Sequence, residues 1–512
     1  MSEDPVIGSD LEAAPASPPT RGRRRRWLLI TGIVVGALIV IVAALAGGSY
    51  WWFTEQVQSA NERVDPATEE ALATPPPSTL VSVPGALGPQ DPGSNSSMDI
   101  LLIGHDRPRD PNTPSRSDVI MLFHVDRERD FFSLLSVPRD LYVDIPGYSK
   151  DRINVAHQAG RAVAIKTIKQ VLGVNVNRYI EVDFTAFEHM IDSLGGVYVD
   201  IDRRYTTHPL WDGDGFDPGY QLLSGADALL FARYRFDQNK DFGRMARQQR
   251  ILAAVRDQAT DWNLPLKLPG LINTLLGSTT TTLSANELLK LSSWLVRLDG
   301  SRIKQSLIRG PSVARDGKAV VVVSPEALTR AVTDFLTPPE ESTSDAGDLV
   351  VVSASAHGLL AMAGAVSLQS LPDAAMWRAA QRSVPFSLQA PMYIPRGFDY
   401  VYKMPSGEGT YGIRVGGGTR PAVRMIYRYR SSDLYLGVTA TTWTDAPVAG
   451  RGDEVESNGV VYTVVGTSGK VDHIWWKSDG VLYFISNTLM HTVEGDELLR
   501  MAQSMTPVGG GG

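Results

Sequence analysis

The chain contains no cysteine, which excludes disulfides, thiolate catalysis and cysteine-based metal sites. It also lacks a positive charge balance. A formal charge of −7 and a sequence pI near 5.7 argue against a nucleic-acid partner, although one local basic pocket is compatible with that total. No G-x-S-x-G, Walker or Rossmann motif occurs, so the commonest nucleophile-elbow and nucleotide-cradling chemistries are absent. His157, His189 and His208 show no metal-ligand spacing. What remains is length: 512 residues suffice for two or three domains whose cores fold without staples.

One long uncharged apolar run is present, Trp27 to Gly48, behind Arg21, Arg23, Arg24, Arg25 and Arg26. About 20 such residues span a hydrocarbon core as a helix. The arginines hold the N-terminus in the cytoplasm, and Tyr50, Trp51 and Trp52 supply an aromatic belt at the far interface. A cleavable signal peptide shares the basic-then-apolar order, but this run is long and its bulky GGSYWWF exit is a poor cleavage site. The expectation is a single-pass cell-membrane protein: tail 1–26, transmembrane helix 27–49, and everything beyond outside the cytoplasm.

Residues 50–97 read as a stalk and Pro/Ser-rich linker, with a short helical stretch between Thr54 and Leu72. From 98 to 336, strands and helices alternate, which predicts an α/β domain with a mixed central sheet covered by helices. Its helices include Val155 to Leu172, ended by Gly173; Gly225 to Arg233, capped by Ser224; and one from about Asp241. Residues 337–348 form an acidic Pro/Ser linker. The span 349–507 is a β-rich α+β domain closed by one helix, and 508–512 a glycine tail. Trp475, Trp476 and Tyr483 in that domain read as core and strand pairs.

The stretch from Asp99 to Asp140 carries the chemistry. ILLI runs into Gly104-His105-Asp106; Arg116-Ser117-Asp118 leads into Val119–Val125; the turn DRERD returns the chain through FFSLLSV to Pro138-Arg139-Asp140. If these strands are antiparallel neighbours, Asp106, Asp118 and Arg139 emerge at one sheet edge. Two carboxylates beside arginines suit a metal-bridged phosphate site. Oxygen donors alone favour Mg²⁺ or Mn²⁺ over Zn²⁺. A second constellation lies further on: Arg233 and Arg235, then Asp241, Arg244 and Gln248 on one helix face, with Arg247 beside them and free to turn away from it. The planar fork of arginine fits phosphate oxygens. His105 reads as a lining residue, and Asp140 as a partner that orients Arg139 by an ion pair.

ILLIGHD, SRSDVIML, LLSVPRDLYVDIPGYSKDRIN, YIEVDF, FEHMIDSLGGVYVDI, LSGADALLFARYR and DFGRMARQQRIL, in this order, resemble the LytR–CpsA–Psr family of cell-wall glycopolymer ligases. The resemblance covers Met98 to Leu336. It implies an α/β/α fold with a hydrophobic tunnel for a polyprenyl chain, and transfer of a glycopolymer from a polyprenyl-pyrophosphate carrier to peptidoglycan as a phosphodiester. It also implies that Asp106 and Asp118 hold Mg²⁺ and that Arg116, Arg139, Arg233, Arg235, Arg244 and Gln248 bind the pyrophosphate. Asp241 would position the arginines. The sequence departs from the family where Asp106 is followed by Arg107, Pro108 and Arg109 and preceded by His105. A hydrolase using water at the same site, and a non-catalytic wall-binding or regulatory protein, are the alternatives.

Overall fold

The computed structural model describes residues 50–77, 97–106, 115, 117–206, 215–238, 240–258, 276, 279–339, 373–401, 409–467 and 470–508. The chain divides into two compact units, Met1–Glu55 and Gln56–Gly512. Among the described residues no helix is long and apolar enough to cross a membrane; the apolar run at 27–49 lies outside them. Helix α1 covers residues 50–61. In α2, Pro66–Ala73, Asp65 caps the first turn by accepting from the Thr68 N–H at 2.9 Å. This helix falls in the span read as a stalk, yet Ala71 is fully buried with Ile165 and Ile168 in the main core. Lys169 caps its end, donating to the Leu72 and Thr74 carbonyls at 2.7 and 2.6 Å. Burial pushes the Lys169 ammonium down to about 8.

Strands β1 (Ser97–His105), β2 (Ser117–Asp126) and β3 (Phe131–Ser136) form an antiparallel meander. Its tight turn is fixed by the Asp126 carboxylate, which accepts from the Glu128 and Arg129 N–H groups. A small pair follows, β4 (Tyr142–Val143) and β5 (Asp151–Arg152). The expected helix from Val155 is two helices, α3 (Asn154–Gln158) and α4 (Arg161–Leu172). Gly160 breaks it at φ +121°, a conformation that an L side chain resists. Then come β6 (Arg178–Asp183), α5 (Phe184–Leu194), the hairpin β7 (Val197–Ile201) and β8 (Gly219–Leu223), α6 (Gly225–Arg233) and α7 (Lys240–Gln258). β9 (Thr279–Thr281), α8 (Ala285–Arg297), β10 (Ile303–Leu307), the pair β11 (Ser312–Arg315) and β12 (Lys318–Val321), and α9 (Pro325–Leu336) complete this region.

The sheet order is β10-β3-β2-β1-β6-β9. β1 runs parallel to β6, and β3 parallel to β10, so the sheet is mixed, as the sequence pattern predicts. Leu101, Ile103, Ile120 and Leu122 meet Ile165, Leu172 and Phe335 on one face. Ile100, Phe123 and Val125 meet Leu283, Leu288 and Trp294 on the other. Burial on both faces explains why β1 reads as a continuous apolar run rather than an alternating one. Helix α6 starts hard against α5: a Cβ at Gly225 would stand 2.1 Å from the Glu188 carbonyl oxygen.

The C-terminal region opens with α10, Ala374–Ser383, a helix additional to the single one the sequence pattern predicts. No side chain caps its N-terminus, which removes the usual start signal. The strands β13 (Gln389–Pro391), β14 (Phe398–Tyr400), β15 (Thr410–Val415), β16 (Gly418–Tyr429), β17 (Tyr435–Thr441), β18 (Asp453–Ser457), β19 (Val460–Thr467), β20 (Lys470–Ser478) and β21 (Val481–Ser486) precede α11 (Gly495–Gln503) and β22 (Met505–Pro507). Eight of them form one antiparallel sheet. On one face Trp377 of α10 and Leu498 and Met501 of α11 bury Met425, Tyr427, Trp476 and Tyr483. The other face carries Ile413, Trp443, Leu482 and Phe484 and closes on Tyr198 and Tyr220 of the β7–β8 hairpin. The Tyr411 hydroxyl accepts from the Tyr220 N–H at 2.9 Å, and Gly219 leaves room for its ring. Trp443→Ala removes the aromatic centre of this contact and is expected to cost about 3–5 kcal/mol. Urea unfolding measures it; a loss below about 1 kcal/mol would show that the two regions are held elsewhere.

Candidate active site

The meander's register sets the first half of the site. Asp106 follows directly on β1, Asp118 is the second residue of β2, and Arg139 lies just past β3, where the Val137 N–H still bonds the Ile120 carbonyl. All three therefore stand at one edge of the sheet. Gly104 lets β1 approach closely, since a Cβ there would lie 3.0 Å from the Val119 Cβ. Arg139 Nη1 donates to Asp118 Oδ1. Its Nε lies 3.5 Å from Asp140 Oδ2, and Arg152 Nη1 lies 3.3 Å from the other Asp140 oxygen. Asp140 thus fixes the arginine that holds Asp118.

Helix α6 brings the second half. Its last residue, Arg233, points Nη2 between the two carboxylates, 3.5 Å from Asp106 Oδ2 and 3.8 Å from Asp118 Oδ2. The guanidinium rests on the Phe184 ring at 4.8 Å. Phe184 opens α5, whose cap Asp183 accepts from the Ala186 N–H at 2.7 Å. Arg235 is exposed two residues further on. Arg244 and Gln248 are buried one turn apart on α7, and Gln248 Nε2 reaches the Ala232 carbonyl at 3.5 Å. That places their helix face against the end of α6 that carries Arg233. Asp241 lies in the first turn of α7, but its side chain is outside the described residues, as are Arg107, Arg109 and Arg116.

Arg247 is turned from this face and fully buried. It donates to Asp237 Oδ2 at 2.5 Å and to the Tyr234 carbonyl, and it faces the Tyr205 and Tyr234 rings. Its role is to hold the segment that follows Arg233.

The donor set fits a hard divalent cation. Asp106 and Asp118 present carboxylate oxygens that share one guanidinium, and the Asp106 side chain is 61% exposed. Two carboxylates suit a Mg²⁺ ion that completes its shell with water and phosphate oxygens. Among the described residues no group of three or more His, Asp or Glu side chains is placed to hold a metal alone. Two cavities lie between α7, β10 and the C-terminal sheet, with Gln249, Gln305 and His491 common to their walls, and Asp106, Asp118, Arg139 and Arg233 line neither.

Behind the edge lies a cluster that the sequence reading missed. Glu181 of β6 receives His105 Nε2 at 3.0 Å and His157 Nε2 at 3.3 Å on one oxygen, and Arg161 Nε on the other. The signal was an acid inside the apolar strand YIEVDF, a position that requires partners. Burial alone would raise the Glu181 carboxyl, but His105, His157 and Arg161 outweigh it and hold the group far below the usual carboxylate range. Burial pulls His105 down, yet Glu181 and the Asp106 carbonyl raise it above its ordinary value.

The two shifts have opposite consequences. A lowered carboxyl stabilises the fold above its unfolded value and loses that contribution as pH falls; a raised imidazole stabilises below its unfolded value and loses it as pH rises. Glu181→Gln is expected to cost about 3 kcal/mol at its worst, between about pH 4.3 and 6.5. The difference from wild type should narrow as pH rises through the raised His105 value and close in strong acid. Urea midpoints across pH measure it, and a flat difference from slightly acid to alkaline pH would remove His105 from the account.

The LytR_cpsA_psr family model matches residues 56–334, more than half of the chain. The regulatory protein MsrR of Staphylococcus aureus is 32% identical over 193 residues, 37% of this chain and 58% of MsrR. The chain therefore aligns with less than two thirds of that relative's length. The polyisoprenyl-teichoic acid–peptidoglycan teichoic acid transferase TagU of Oceanobacillus iheyensis is 29% identical over 244 residues, 46% of this chain and 73% of TagU. Among solved structures, TagV of Bacillus subtilis aligns with 47% of this chain and 96% of its own at 25% identity, with a TM-score of 0.42. YwtF (TagT) with bound octaprenyl pyrophosphate aligns with 48% and 93% at 25% identity, with a TM-score of 0.37. The family match spans the meander, Glu181 and both arginine-bearing helices, and the chain belongs to the LytR–CpsA–Psr family.

Proposed function

We propose that this protein transfers a glycopolymer from a polyprenyl-pyrophosphate carrier to a peptidoglycan hydroxyl, anchored in the cell membrane by residues 27–49 with the rest outside the cytoplasm. Family membership and the transferase name of the relative TagU support the reaction class. The observation that carries the reading is Arg233 standing between Asp106 and Asp118 while Arg139 holds Asp118 from the other side. An edge of alternating acids and guanidinium groups is built to receive a pyrophosphate together with a cation.

In this reading the acceptor hydroxyl oxygen forms a bond to the phosphorus that bears the glycan. The bond from that phosphorus to the bridging oxygen breaks, and polyprenyl monophosphate leaves with the electron pair. Asp106 and Asp118 would hold Mg²⁺, which supplies charge neutralisation on the pyrophosphate. Arg139 and Arg233 bind the non-bridging oxygens of the transferring group, where charge accumulates. Arg116, Arg235, Arg244 and Gln248 complete the oxygen contacts, and Asp241 orients the arginines on α7. The leaving phosphate needs no proton when guanidinium groups stabilise its charge.

Label in the glycan of a synthetic polyprenyl-pyrophosphate donor should pass into peptidoglycan. Label appearing only as free glycan phosphate would favour the hydrolase, and no turnover at all a binding role. Asp118→Asn is expected to lower metal-dependent turnover about a hundredfold while donor affinity changes about threefold or less. Arg244→Lys should reduce turnover at subsaturating donor about tenfold, because an ammonium cannot reproduce the bidentate fork. Wild-type turnover in that variant would dismiss Arg244 from pyrophosphate binding.

A further inference from the structure

We infer that the C-terminal region is part of the catalytic apparatus, and that Asp433 is the residue through which it positions the arginine segment after α6. Asp433 lies in the β16–β17 turn, beyond the end of the family match at residue 334. Its Oδ1 is 2.6 Å from Arg203 Nη1, and its Oδ2 accepts the Gln238 N–H at 2.6 Å. Arg203 continues the line: its Nη2 is 3.2 Å from Asp237 Oδ2, the oxygen that also receives Arg247 Nη1. Arg247 in turn donates to the Tyr234 carbonyl. Residues 234–238, which include Arg235 and follow Arg233 directly, are thus gripped from α7 on one side and from the β16–β17 turn on the other.

The grip is desolvated and stiff, which is what positioning requires. The Arg203, Asp433 and Asp237 side chains are 12%, 10% and 1% exposed. The Arg203 guanidinium lies over the Tyr205 ring of the α/β region and the Tyr435 ring of the C-terminal region, at 4.8 and 5.5 Å. The turn itself is internally braced: Ser432 Oγ donates to the Tyr429 carbonyl, and Arg428 Nε to the Ser432 carbonyl. A second contact, Gln238 Nε2 to the Ser431 carbonyl at 3.4 Å, comes from the same turn. Asp433 touches no reacting atom; it acts through the backbone of Gln238 and through Arg203.

The kinetic part of this inference rests on the transferase reading, and the structural part does not. The test compares the full-length protein with its Asp433→Ala and Asp433→Glu variants by amide hydrogen exchange over residues 234–238 and by transfer kinetics. Asp433→Ala should speed exchange in that segment about tenfold and lower kcat about tenfold with the acceptor KM unchanged. Asp433→Glu keeps the charge and the acceptor and should restore more than half of the rate. Unchanged exchange in Asp433→Ala, faster exchange with wild-type kcat, or no recovery in Asp433→Glu each overturns the role. If Asp433→Ala loses its fold, Asp433→Asn, which breaks the ion pair alone, replaces it in the same comparison. A wild-type protein without transfer would refute the transferase reading, and the exchange result alone then decides whether Asp433 holds the segment.

Discussion

Two carboxylates at the end of a sheet repel each other unless a cation stands between them, and the site is organised around that requirement. Arg233 meets it for Asp106 and Asp118 at once, with Arg139 sharing the load on Asp118. The arrangement depends on chain reversal. Because β1, β2 and β3 are antiparallel neighbours, the end of one, the start of the next and the exit of the third coincide. A slip of one residue in β2 would send Asp118 to the opposite face and leave Arg233 with a single partner. The apolar faces buried against α4, α9 and α8 hold that register.

The strands and most helices of the α/β region were legible because their signals are local. Ser224 caps a helix, Gly173 and Gly195 end helices in the left-handed region, and DRERD makes a turn. The convergence of Asp106, Asp118 and Arg139 followed from strand polarity alone. The helical pattern from Val155 to Leu172 runs through Gly160, since a glycine within such a pattern signals a break only through its φ. The Glu181 cluster joins β1, β6, α3 and α4, and no spacing in the sequence announces that His105 and His157 meet. Arg247, which the spacing places beside Arg244 but leaves free to turn from that face, does turn away to Asp237 and the Tyr234 carbonyl.

The C-terminal sheet was legible as strands and not as a neighbour. Its inner face is closed by its own helices, and its outer face is apolar where it meets the β7–β8 hairpin. Arg424, with no exposed surface, crosses that boundary to reach Asp200, its Nη2 3.1 Å from Oδ2. Contacts between residues two hundred positions apart leave no trace in local periodicity. Helix α7 is buried at every residue from 243 to 249, where α6, β7 and β10 pack around it. A helix covered on one side only would show a polar stripe.

Glu181 also limits which groups can act as bases. With two imidazoles and a guanidinium holding it in its ionised form, it is a poor proton sink at neutral pH, although it touches His105, the residue before Asp106. Under the transfer reading, it cannot be the group that relieves the incoming sugar oxygen of hydrogen. In that reading the proton passes to an acceptor other than Glu181, late, once the new ester linkage has drawn electron density off the oxygen.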